Sequence, residues 1–145
     1  MKCSEVMTSD PKFCVTTETA VHAAKLMKSE DVGPIPIVSD RETKILKGIV
    51  TDRDLVLKVI AEERDPKTTR LEEVMTTEVA TCRPDDDADE ALELMQQHQV
   101  RRIPIVDGDG RLVGIISQAD VATRVDEPEK TAEVVEEISK AASTV

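Results

Sequence analysis

The feature that most limits what this chain can fold into is that it repeats itself. A shift of 68 residues lays Val6–Val38 on Val74–Val106, with 13 identities in 33 positions. The matches include Val6-Met7-Thr8 with Val74-Met75-Thr76, Cys14 with Cys82, Leu26-Met27 with Leu94-Met95, and Ile35-Pro36-Ile37-Val38 with Ile103-Pro104-Ile105-Val106. The shift then drops to 66, so that Gly48–Asp54 falls on Gly114–Asp120 and the first copy carries two extra residues in the Ser39–Lys47 loop. Insertions of this kind belong in surface turns. A repeat of this length is one supersecondary unit that cannot bury its apolar faces alone, so two copies are expected to build the core together.

Each copy carries the same periodicities. Ala20, Ala23, Ala24 and Met27 recur at i, i+3, i+4 and i+7, as do Ala88, Ala91, Leu92 and Met95, which predicts two amphipathic helices. Ile35–Val38 and Ile103–Val106 are short, β-branched and followed by turn residues, which predicts a hairpin into a second strand ending at Val50 or Ile116. A proline inside the first strand of each hairpin points to an edge or a bulge. Leu55, Val56, Val59 and Ile60 predict a further helix, with Val121, Ala122 and Val125 as its shorter counterpart. The expected order per copy is strand, helix, strand, strand, helix. The expected organisation is repeat 1 over 1–65, repeat 2 over 66–127, a charged linker at Glu62–Thr69, and an acidic C-terminal helix over 128–145 with an apolar stripe at Thr131, Val134, Val135 and Ile138.

Composition excludes several classes of function. With 30 acidic and 19 basic side chains the formal charge is −11, which opposes nucleic-acid binding, where a basic stripe and stacking aromatics are needed. Phe13 is the one aromatic residue. Apolar stretches of a few residues fall far short of the roughly 20 that span a bilayer, and no signal-type apolar region follows Met1. A cytoplasmic protein without membrane or nucleic-acid partners is expected. Cys3, Cys14 and Cys82 are odd in number with no CxxC pair, which favours reduced thiols over a disulfide framework or zinc ribbon. Cys14 and Cys82 read as small core or pocket-wall residues, and no metal site is expected. His22 reads as a solvated residue on the polar side of its helix, and His98 as a favourable cation near a helix C-terminus. Neither brings the partners that catalysis needs, so no enzyme activity is expected. Asp85-Asp86-Asp87 reads as a capped helix start rather than a calcium loop.

The two Val-Met-Thr lead-ins, the two Ile-Pro-Ile-Val strands and the two Gly-Ile-(Val/Ile)-(Thr/Ser)-x-x-Asp motifs together resemble a tandem pair of CBS (cystathionine β-synthase) domains, a Bateman module, over about Ser4 to Val125. Standalone bacterial and archaeal members are the most similar. The resemblance implies an α/β (α+β) fold of two βαββα repeats packed through their sheets into one pseudo-two-fold module. It also implies a homodimer and adenosine-type ligands, such as AMP, ADP, ATP or S-adenosylmethionine, in clefts between the repeats, with no required cofactor. The implied output is regulatory, through a separate effector protein. The rival reading is a structural or protein-interaction module with no ligand.

The motif chemistry allows both. Thr51 and Ser117 stand at a strand end just before a helix, where unpaired backbone N–H groups and the positive dipole end suit a phosphate. Asp54 and Asp120 follow three residues later, and the resemblance gives them the two ribose hydroxyls. Ser/Thr-x-x-acid is equally a capping box that closes a helix start with no ligand at all. Arg101 and Arg102 precede the second hairpin, where the resemblance implies a cation for ligand phosphates by bidentate contacts; a surface pair bridging to acids is the alternative. The first copy has Gly33-Pro34 there, so the stronger phosphate site is expected beside the arginines. Gly33, Ile35 and Ile103 complete the implied ligand-binding set.

Overall fold

The computed structural model describes residues 1–124; the helix and apolar stripe expected over 128–145 lie outside the described residues. Along the chain the elements are α1 (Cys3–Val6), β1 (Thr8–Ser9), β2 (Cys14–Val15), α2 (Ala20–Glu30), β3 (Ile35–Val38), β4 (Leu46–Val50) and α3 (Asp52–Leu55), which runs on as a π-helical turn at Val56–Ile60. A 3-10 turn at Leu71–Glu73 follows, then α4 (Ala88–His98), β5 (Arg102–Val106), β6 (Leu112–Ser117) and α5 (Gln118–Arg124). The chain is mixed α/β, with two three-stranded sheets in the orders β2-β3-β4 and β1-β6-β5. No helix among the described residues is long and apolar enough to cross a membrane.

Two compact units result, one formed by residues 12–79 and the other by residues 1–11 with residues 80–124. In the first, β2 runs parallel to β3 with Cys14 opposite Ile37, and β3 runs antiparallel to β4 with Ile35 opposite Val50. Ile49 then exchanges both backbone hydrogen bonds with Thr76, at 2.9 and 2.8 Å. The second unit has the same plan: Cys82 bridges Ile105 in parallel, Ile103 lies opposite Ile116, and β1 joins β6 with Thr8 opposite Ile115. The lead-in of each copy therefore closes the sheet of the other. The compact bodies thus exchange their lead-ins, and each exchange covers a strand edge that would otherwise leave backbone groups unpaired.

Gly48 and Gly114 permit that close crossing. A Cβ on Gly48 would stand 2.6 Å from the Thr76 carbonyl oxygen and 2.9 Å from Met75 Sδ, and one on Gly114 would run into Met7 Sδ. The prolines sit next to bulges, since the register shifts between Ile37 and Val38 and between Ile105 and Val106. Strand β3 is nevertheless internal to its sheet. Pro36 is tolerated because its partner Ile49 turns its polar groups to Thr76, so the proline nitrogen faces β2, which is only two residues long.

Helix α4 buries all four expected positions, whereas α2 buries Ala20, Ala23 and Met27 but leaves Ala24 exposed. The fully buried Leu92 holds the matching place in α4. A side chain there must be long to reach the core, and a methyl group is not. The Glu62–Thr69 linker is also a cap: the first N–H groups of α2, on Ala20 and Val21, donate to the carbonyls of Thr69 and Pro66, both at 2.9 Å. In the other unit Ala88 N–H donates to the Met1 carbonyl at 2.7 Å.

Candidate functional site

Each strand-to-helix junction gathers the candidate residues of its own repeat. In the unit of residues 12–79, β4 ends at Val50 and Thr51 caps α3. Thr51 Oγ1 accepts from Asp54 N–H at 3.0 Å, and Asp54 Oδ2 accepts from Thr51 N–H at 3.0 Å. In the other unit Ser117 Oγ accepts from Asp120 N–H at 3.1 Å, and Asp120 Oδ2 accepts from Ser117 N–H at 3.0 Å. Both motifs are thus complete reciprocal capping boxes. One carboxylate oxygen of each aspartate is committed to the cap. The other oxygen of Asp54 lies 3.2 Å from Lys58 Nζ, which also donates to the Val74 carbonyl at 3.0 Å.

The hairpin brings the remaining residues to the same ends. Gly33 C=O accepts from Asp52 N–H at 3.1 Å, and Arg101 C=O accepts from Gln118 N–H at 2.9 Å. Arg102 pairs with Ser117 across the β5–β6 ladder. Arg101 is exposed and Arg102 half-buried. Ile35 and Ile103 lie at the right places along their strands, but their side chains belong to the two apolar cores. Gly33 lies against Asp52, close enough that a Cβ would stand 3.2 Å from its Oδ1. Neither Asp52 nor Gln118 was marked by the sequence motif, although both hold the strand start against the helix start. Gln118 Oε1 is buried and has no hydrogen-bond partner.

The cysteines are buried free thiols, as expected. Hydrogen bonding to Cys82 and burial hold the Cys3 thiol well above the ordinary range. Burial, and to a lesser degree the Glu18 charge, push Cys14 up to about 12. Asp87 caps α4 by accepting from Asp89 N–H at 2.9 Å, in keeping with the expected helix start. His98 stands in the last turn of α4. His22 is not simply solvated, because its Nε2 lies 2.8 Å from Glu18 Oε2. Spacing carried the signal: Glu18 and His22 are four residues apart, and Cys14 is four before Glu18.

Duplicated capping aspartates on a hairpin-to-helix junction, with lead-ins exchanged between two βαββα bodies, define a tandem-repeat α/β architecture. The chain belongs to the CBS domain family, whose profile matches residues 3–61 and 71–127. It is 42% identical over 118 residues to CBS domain-containing protein YhcV of Bacillus subtilis, covering 81% of each chain. Among solved structures it is similar to Hypoxic Response Protein I with two coordinated zinc ions, at 32% identity and a TM-score of 0.78, covering 86% of this chain and 99% of that one. It is also similar to the CBS domain pair of protein MJ0100 in complex with 5-methylthioadenosine and S-adenosylmethionine, at 26% identity and a TM-score of 0.69, covering 85% and 94%.

Proposed function

We propose that this chain is a regulatory ligand-sensing module that takes an adenosine-containing ligand at the two capped junctions and passes occupancy to a partner protein. No reaction is assigned to it. The observation that carries the reading is the pair of matching junctions, Thr51 with Asp54 and Ser117 with Asp120, each placing a carboxylate and a helix start side by side in a chain of the CBS family. The adenosine ligands of the MJ0100 pair support that ligand class. Arg101 and Arg102 are the cations for ligand phosphates in this reading, and Gly33, in the ligand-binding set of the other copy, supplies no cation there. A ligand-free structural module is the second reading, and it has its own support: both capping boxes are fully satisfied without a ligand.

Calorimetry and thermal shift with AMP, ADP, ATP and S-adenosylmethionine on ligand-stripped protein separate the two. Saturation at 100 times Kd stabilises by about 2.7 kcal/mol. At least one ligand is expected to bind, and Asp120→Ala to weaken it in folded protein. No heat and no shift across the set favour the structural module. A homodimer belongs to the same proposal: of the apolar residues Val56, Val59 and Ile60, Val59 is buried in its own unit, whereas Val56 and Ile60, with Leu57 beside them, are exposed at 55%, 61% and 46% and support the reading. Light scattering at micromolar concentration is expected to give twice the chain mass, and a monomer mass removes the dimer from the reading.

A further inference from the structure

Cys14, Glu18 and His22 offer a thiol, a carboxylate and an imidazole whose ligand atoms all lie within 4.8 Å of one another. The backbone enforces this. Strand β2 ends at Val15, and Glu18 N–H donates to the Val15 carbonyl at 2.9 Å while Glu18 Oε1 accepts from Val15 N–H at 2.6 Å. This double hold folds the Glu18 carboxylate back over the end of β2, beside the Cys14 sulfur. Helix α2 begins two residues later and carries His22 at the i+4 position from Glu18. A Glu–His pair on a helix start is ordinary by itself. What it leaves unexplained is a third donor of different chemistry, a free buried thiol, at the same point.

We propose that Cys14, Glu18 and His22 form a binding site for one divalent transition metal of the zinc class. Sulfur, imidazole nitrogen and carboxylate oxygen are the donor set that zinc takes, at about 2.3, 2.0 and 2.1 Å, and three protein ligands leave one position open. On binding, the thiol proton passes to solvent and the Glu18–His22 hydrogen bond opens by on the order of half an ångström to tetrahedral spacing. The fourth position lies on the side of His22, which is half exposed, and takes water. Val15 N–H stays on Glu18 Oε1 and fixes the carboxylate's orientation. Arg41, 3.1 Å from Glu18 Oε2, is the competing cation that the metal displaces or moves outward.

The second repeat is an internal contrast. The residues that match Cys14, Glu18 and His22 are Cys82, Asp86 and Glu90. No imidazole is present, Asp86 accepts from Arg83 N–H at 2.8 Å, and Cys82 lies in the apolar core of its unit. Among the described residues the site is formed by one copy only.

Cobalt(II) titration of the full chain, made without a histidine tag and stripped with a chelator, tests the proposal independently of any nucleotide. One equivalent is expected to produce thiolate-to-metal charge-transfer absorption that zinc then displaces. Cys14→Ser is expected to abolish that absorption, and His22→Ala to weaken binding by roughly tenfold or more. No thiolate absorption in the unmodified protein overturns the proposal, as does absorption that survives Cys14→Ser. If Cys14→Ser does not fold, the half-exposed His22→Ala decides: unchanged cobalt affinity overturns the site.

Discussion

At Thr51 and at Ser117 the same pair of reciprocal hydrogen bonds closes a helix start, yet the residues preceding the hairpin are Gly33-Pro34 in one unit and Arg101-Arg102 in the other. The same contrast runs through both units. Positions that the backbone demands are the same or equivalent in the two copies: the glycines under the exchanged lead-ins, the capping hydroxyl residue (Thr51 or Ser117) with its aspartate, the Ile-Pro-Ile-Val strand. Positions that set charge or donor chemistry have diverged, as in His22 against Glu90 and Gly33-Pro34 against Arg101-Arg102. A duplicated fold keeps what holds each sheet closed and is free to make its two sites different.

The sharpest way to break this comparison is at the two glycines. In the unit of residues 12–79, an added methyl on Gly48 meets a backbone oxygen at 2.6 Å, which cannot yield without shifting the lead-in strand. On Gly114 the nearest backbone oxygen is at 3.1 Å and the tighter obstacle is Met7 Sδ, the end of a flexible side chain. Gly48→Ala is therefore expected to destabilise by about 3 kcal/mol and Gly114→Ala by about 1 kcal/mol. Urea unfolding of each variant, with the slope checked against the unmodified protein, measures both. Equal losses would mean that the two crossings are equally rigid, and the distinction between backbone and side-chain obstacle fails.

How far the fold could be read from sequence follows the same division. The repeat, the two helices, the hairpins and the capping pairs were legible because each rests on local spacing: 3.6-residue periodicity, β-branched runs and Ser/Thr-x-x-Asp. The exchange of lead-ins was not, because Val6-Met7-Thr8 carries nothing that says which sheet it joins. Gly48 and Gly114 held the only clue, as small residues in the middle of strands. The placement of the candidate residues was legible in part: Thr51, Asp54, Ser117 and Asp120 stand at helix starts, as the capping motif implies, whereas spacing did not say that Ile35 and Ile103 turn their side chains into the cores. Cys14, Glu18 and His22 were not read as a set because their spacing of four and four, which on one helix would share a face, runs here from a strand through a turn into a helix.

The finest test of the comparison lies at the other end of the paired helices. Helices α2 and α4 both stop at a non-glycine residue in the left-handed region, Asp31 and Gln99, each at φ 53°, and in each the residue's N–H donates back to a methionine carbonyl, Met27 or Met95. Glycine takes this conformation without steric cost, while a residue with a Cβ is strained there. Asp tolerates the left-handed region better than Gln, because its short side chain can hydrogen-bond locally. Gln99→Gly is accordingly expected to stabilise by about 0.5 to 1 kcal/mol, and Asp31→Gly by a few tenths of a kcal/mol at most. Thermal unfolding of the two single variants side by side reads the difference as a shift of a few degrees against little or none. A larger gain from Asp31→Gly than from Gln99→Gly would show that strain at these two stops is set by the surroundings of each unit and not by the residue that terminates the helix.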